Sequence, residues 1–354
     1  MRKWNWNAGP SQLPEEVLEE AREALLELGG TGVGVLELGH RTPHYDEVHH
    51  GAAQAVLRLL ELDPRDWTCL FLGGGASMQF AQIPMNLGRR SDHVVTGLWA
   101  QKAFDEARIL GPARLAATSA GTKHDRIPER LELDPGASYL HVTTNNTVYG
   151  TQWRALPECA VPLVVDMSSD ICSRRLDLSR ASLIFAGAQK NLGAAGATIV
   201  AIRKELLART PADVPHMLSY RAHHEAKGIY NTPPVFAIWL VGRMAAWIER
   251  QGGVAALEAV NERKAAALYR CLDSHPLWVP LARPQDRSRM NVTWRLSRPE
   301  LEPVLIQEAD AAGLLYLAGH RSAGGFRASL YNAMPERAVA ALVAFLEDFA
   351  RRRG

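Results

Sequence analysis

Short apolar runs recur along the first part of the chain: TCLFL (68–72), HVVTG (93–97), SYLHVTT (138–144), PLVVDMSS (162–169), SLIFAGA (182–188) and ATIVAIR (197–203). Helical windows or long loops separate most of them, including residues 98–137. An apolar run too short for a helix and bounded by turn residues reads as a strand covered on both faces. Such strands alternating with helices build a mostly parallel sheet with helices packed on it, so the fold class is α/β.

The helical windows fit this reading. Val17, Leu18, Ala21, Ala24, Leu25 and Leu28 follow a 3.6-residue period after Glu15 and Glu16, and Gly29-Gly30 stops the run. A second amphipathic helix is expected over 45–62. Near residue 250 the character changes. A Gly-Gly break precedes a long amphipathic stretch, MNVTWRL (290–296) and FRASLY (326–331) read as strands, and Pro335–Arg353 reads as a helix. The expected division is an N-terminal segment over 1–15 packed with the small domain, a large domain over 16–250, and a small α+β domain over 251–354.

A chain of 354 residues can bury its core without disulfides or metals. Its four cysteines show no CxxC and no framework spacing, which suits reduced thiols, and no metal is expected. A net charge of +2 gives no ground for binding nucleic acid or a membrane. The N-terminus MRKWNWNAGP has no apolar signal region, and no 18-residue apolar run is present. A cytoplasmic protein is expected.

Several residues stand where α/β sheets place ligands, beyond the C-terminal ends of the strands. The loop LGGGASMQF (72–80) follows a strand and opens a helix, so its free N–H groups and Ser77 suit an anion; it serves equally as a tight turn. It is not a P-loop and carries no GxGxxG. Asp166 ends a buried strand, as a functional acid or a helix cap. Lys190 follows another strand among small residues, as a nucleophile of depressed pKa or a lysine snorkelling to solvent. Trp99 is a stacking plate or a core residue. Gly39-His40-Arg41, Gly319-His320-Arg321 and Arg327 are anion-recognition candidates, or singly surface residues. A phosphate cradle, an acid, an aromatic plate and a lysine together fit pyridoxal phosphate, which needs all four.

The motifs NAGPSQLP, LELGHR, GGGASMQF, TTNNTVYGTQW, VVDMSSDICSR, IFAGAQKNLG, YNTPPVFAIW, RSRMNV and GHRSAGGFRASLYNAMP cover the chain from about residue 5 to its end. They resemble the phosphoserine aminotransferases, class V pyridoxal-phosphate enzymes of fold-type I. The resemblance implies a mostly parallel seven-stranded sheet, with Lys190 as the aldimine lysine and Asp166 as partner of the pyridinium nitrogen. It implies Trp99 stacked on the ring, Ala76, Ser77 and Gln189 on the cofactor phosphate, and Thr147 on the ring oxygen. Asn231 and Thr232 would reach the cofactor of a second copy, giving a homodimer with shared sites. Arg327 would hold the substrate α-carboxylate. His40 and Arg41, with His320 and Arg321 from the second copy, would hold the substrate's phosphate or second carboxylate. Asn7-Ala8 stands where some relatives carry serine.

The implied reaction is reversible: 3-phosphohydroxypyruvate and glutamate give phosphoserine and 2-oxoglutarate by a ping-pong route, with a related role in vitamin B6 synthesis open. The rival readings are a cysteine desulfurase, which needs a mobile cysteine, another class V aminotransferase, and a binding protein without activity.

Overall fold

The computed structural model describes residues 2–354. Twelve strands occur among them: β1 (Trp4–Asn5), β2 (Trp67–Leu72), β3 (Ser91–Val95), β4 (Ala113–Thr118), β5 (Tyr139–Thr143), β6 (Leu163–Asp166), β7 (Ala181–Gly187), β8 (Thr198–Arg203), β9 (Trp278–Pro280), β10 (Asn291–Leu296), β11 (Leu314–Leu315) and β12 (Phe326–Ser329). Seven form one sheet in the order β2-β8-β7-β6-β5-β3-β4, in which only β8 runs against its neighbours. Every apolar run of the sequence is a strand of this sheet.

The side-chain alternation of each strand sorts its residues onto two helical layers. Leu70, Leu72, Val164, Leu183, Phe185, Val200 and Ile202 pack with Phe80, Ile83 and Leu87 of helix Gly75–Leu87. Phe71, Val165, Ile184, Ile199 and Ala201 pack on the other face with Ala52 and Val56 of helix Pro43–Leu59 and with Ile238 and Val241 of helix Val235–Arg250. Coverage on both faces is why β6 to β8 carry polar residues only near their ends.

A separate core lies in the C-terminal part. There β12-β10-β9 form an antiparallel sheet, and Trp294 stacks on Phe326 with ring centroids 5.5 Å apart. Helices Gly253–Asp273 and Glu336–Arg353 cover it through Leu268, Leu342 and Phe349. The N-terminus joins this core: β1 pairs with β11, and Trp6 is fully buried in it.

Three local readings differ from the structure. The helix expected over 45–62 spans Pro43–Leu59, because the Thr42 hydroxyl accepts the Tyr45 N–H and caps it earlier. β4 lies in a segment read as helix or loop; as an edge strand it is half exposed and needs no apolar run. The short β1, β9 and β11 also left no recognisable pattern.

Candidate active site

The residues singled out beyond the strand ends converge. In the parallel register Thr143 lies opposite Asp166, and Asp166 opposite Phe185, so β5, β6 and β7 end side by side. A cavity of about 380 Å³ opens there. Ala76, Ser77, Trp99, Thr147, Asp166, Gln189, Lys190, His320 and Arg327 all line it.

Each side chain is held from its own element. Gly74, in the left-handed region at φ 83°, turns the chain from β2 into helix Gly75–Leu87, and no side chain caps that helix. Its first N–H groups therefore face the cavity with Ser77, as anion donors. Trp99 opens helix Leu98–Leu110, and its Nε1 donates to Thr147 Oγ1 at 3.1 Å, which fixes the indole plane. The Thr147 hydroxyl keeps its own proton to donate to a ligand. The Arg327 guanidinium donates to the Thr147 carbonyl at 3.2 Å, while its buried Nε has no partner among the described residues.

Asp166 is buried, and both the Ser168 N–H (2.9 Å) and the Ser168 hydroxyl (2.6 Å) donate to one of its oxygens. Its other oxygen is free of hydrogen bonds from the described residues. Burial pushes the Asp166 carboxyl up, against the pull of the Lys190 amine and Ser168. Burial likewise pushes the Lys190 amine down, against Asp166, and Arg327 adds to that depression. The Lys190 Nζ lies 5.9 Å from the centre of the Trp99 ring. Lysine, acid and aromatic plate thus enclose one space.

These donors fit pyridoxal phosphate. An uncapped helix terminus matches the phosphate, a buried acid with a free oxygen matches a protonated ring nitrogen, and an amine of depressed pKa matches the aldehyde. Among the described residues no group of three or more His, Cys, Asp or Glu could hold a metal ion.

Five predicted residues stand outside this lining: His40, Arg41, Asn231, Thr232 and Arg321. His40 Nε2 lies 3.4 Å from Thr232 Oγ1, and Arg41, Asn231 and Thr232 are exposed. The resemblance draws His320 from a second copy and His40 from the chain itself; in this chain His320 is in the lining and His40 is outside it. His320 belongs to the same chain's Lys190 cavity, whereas His40 sits with Thr232, a residue expected to serve the other copy.

Sequence reasoning missed several contributors. Ser168 has a local signal, since an aspartate two residues before a serine makes a side-chain turn. Ser11, whose N–H donates to the Gln189 carbonyl at 3.0 Å and whose hydroxyl donates to the Lys190 carbonyl, has none. Nor has Gly9: a Cβ there would lie 3.1 Å from Lys190 Cγ, so the segment Asn7–Gly9 walls the cavity at close range.

The family model of the class-V aminotransferases matches residues 3–342. The phosphoserine aminotransferase of Geobacillus kaustophilus is 47% identical over 357 residues, covering 99% of each chain. The solved phosphoserine aminotransferase of Bacillus circulans subsp. alkalophilus superposes with a TM-score of 0.97 at 42% identity, over 100% of this chain and 99% of that one. That of Trichomonas vaginalis, solved with pyridoxal phosphate bound, has a TM-score of 0.93 at 35% identity, over 98% and 100%. The chain belongs to the class-V aminotransferases and, within them, to the phosphoserine aminotransferase family.

Proposed function

We propose that this protein transfers an amino group reversibly between glutamate and 3-phosphohydroxypyruvate, giving 2-oxoglutarate and phosphoserine in serine biosynthesis. The observation that carries the reading is the single cavity in which Lys190, Asp166, Trp99, an uncapped helix terminus and Arg327 meet. Full-length relatives that carry the phosphoserine aminotransferase name support the substrate pair.

When bound, pyridoxal phosphate supplies an electron sink for removal of the substrate Cα proton. The chain's residues do the rest. The N–H groups of residues 75–77 and Gln189 bind the phosphate. The free Asp166 oxygen accepts the ring N–H, and Ser168 keeps that carboxylate oriented. Trp99 provides the plate, and Thr147 the hydroxyl for the ring oxygen. Lys190 Nζ, its pKa lowered by burial, holds the aldehyde and then serves as the base and acid that moves the proton. Arg327 takes the α-carboxylate as a two-pronged donor.

Both substrates carry a second anion. His320 and Arg321 approach it from one side, and His40 and Arg41 from a second copy, whose Asn231 and Thr232 also reach the phosphate. A cytoplasmic homodimer with shared sites follows, with residues 16–250 as cofactor domain and 251–354, joined by 1–15, as small domain. Action on the phosphorylated keto acid of vitamin B6 synthesis is compatible with the same contacts. A desulfurase is not favoured: no cysteine lines the cavity, and burial pushes the Cys172 thiol far up.

The test is a coupled assay of phosphohydroxypyruvate against unphosphorylated hydroxypyruvate. The proposal expects kcat/KM at least about a hundredfold higher for the phosphorylated acid, since a charged contact left empty costs several kcal/mol. Equal values would exclude the phosphate site.

A further inference from the structure

Lys264 is a buried lysine with no role in the reaction as described. It lies on helix Gly253–Asp273, is 1% exposed, and has no carboxylate within salt-bridge distance among the described residues. A buried ammonium needs partners. Here they are backbone carbonyls: Nζ donates to Leu330 (2.6 Å), Tyr331 (2.9 Å) and Met334 (2.9 Å). Its three protons thus bind Leu330, just before the turn YNAMP (331–335), and Tyr331 and Met334 within it. Burial pushes its pKa down to about 7, against the pull of the Glu336 carboxylate.

That turn reaches the cofactor lysine by two arms. The Tyr331 hydroxyl donates to the Ala8 carbonyl at 2.8 Å, and Ala8 lines the cavity. The Asn332 N–H donates to Asn191 Oδ1 at 3.0 Å, and Asn191 is the residue after Lys190. One helical turn before Lys264, Asn261 donates to Asn332 Oδ1 at 2.9 Å and to the Ser173 carbonyl. One helix face therefore grips the turn twice, and the turn grips Asn191, next to Lys190, and Ala8, which lines the same cavity.

We propose that Lys264 is a positioning residue for the reaction, an internal ammonium that fixes the turn 330–334 so that Tyr331 and Asn332 hold Ala8 and Asn191 around Lys190. The lysine touches neither substrate nor cofactor. Its effect is carried by the geometry of the Lys190 amine, where a displacement of about 1 Å is worth up to a hundredfold in rate. The inference rests on the reading of Lys190 as the cofactor-bearing residue.

The test compares the holoenzyme with Lys264→Met, which keeps length and removes the charge, and with Leu268→Ala, a cavity in the same helix away from the turn. Stability, kcat, KM for glutamate and the pH midpoint of the bound cofactor's visible absorbance are measured. Lys264→Met is expected to lower kcat about fivefold or more, with KM within about twofold, and to move the absorbance midpoint by about half a pH unit. Leu268→Ala is expected to lose stability alone. If Lys264→Met changes only stability, as Leu268→Ala does, the inference is wrong. If Lys264→Met does not fold, Tyr331→Phe decides: a midpoint shift of about half a pH unit with a lowered kcat supports the clamp, and a wild-type midpoint and kcat overturn it. A wild-type protein that takes up no cofactor on Lys190 would instead remove the functional reading beneath.

Discussion

At the scale of residues, the site depends on a few groups whose burial sets their chemistry. Asp166→Asn keeps the shape but loses the negative oxygen that accepts a ring N–H. It should lower kcat about a hundredfold, equivalent to about 2.7 kcal/mol of barrier, read in steady-state kinetics. Ser168→Ala removes one of two donors to Asp166 and should cost about tenfold less than that. If Ser168→Ala matched Asp166→Asn, the serine would have a direct role that its contacts do not suggest. Lys190, Asp166 and Trp99 were legible in the sequence only as a set: each alone has a structural use, but a lysine, an acid and an aromatic plate beyond strand ends together fit one cofactor. Ser11 and Gly9 were not, because their partner lies roughly 180 positions away and no local pattern encodes it.

At the scale of elements, the sheet was legible where strands are buried on both faces and illegible where they are not. β6 to β8 are nearly continuous apolar runs, while β4 alternates weakly at the edge and β9 is three residues long. The buried strands also carry the stability that aligns the site. Phe185, fully buried and next in register to Asp166, packs against Phe80, with ring centroids 6.2 Å apart. Phe185→Ala should destabilise the protein by about 3–5 kcal/mol and weaken cofactor binding with it. Urea unfolding and a cofactor titration would check both, and loss of stability with unchanged cofactor affinity would show that the strand ends hold the site independently of this packing.

At the scale of the whole molecule, two properties follow. The first is acid sensitivity. His141 is fully buried with neither ring nitrogen bonded among the described residues, and burial pushes its pKa down to about 4. An unfolded histidine titrates near 6.5, so folding binds fewer protons between these values. The stability held above pH 6.5 is lost as pH falls through that window. Between pH 7 and 5 this one group accounts for roughly 2 kcal/mol. His141→Leu should therefore lose that much less stability over the same interval, measured by urea unfolding at both pH values. An unchanged difference would show that His141 stays neutral in both states.

The second is the proposed sharing of sites between copies. Sequence motifs named the anion-binding candidates, but their spacing carries no information on which copy each serves, because that depends on where loops far apart in sequence meet. In the proposed dimer, Arg41 serves the other copy's site, a reading supported by the contact between His40 and Thr232 and by the place of His320 in the Lys190 cavity. Lys190→Ala and Arg41→Ala are each expected to be inactive or nearly so. Unfolded and refolded together in equal amounts, they should recover about a quarter of wild-type activity, since half the dimers carry one intact site. No recovery would mean that Arg41 serves its own chain's lysine.

The central claim is that Lys190 carries the cofactor. The most direct measurement is borohydride reduction of the holoenzyme, followed by proteolysis and mass spectrometry of the peptides. The account predicts a single pyridoxyl-phosphate adduct on the peptide containing FAGAQKN, at Lys190. A label on another lysine, or none on a protein that had bound the cofactor, would contradict it.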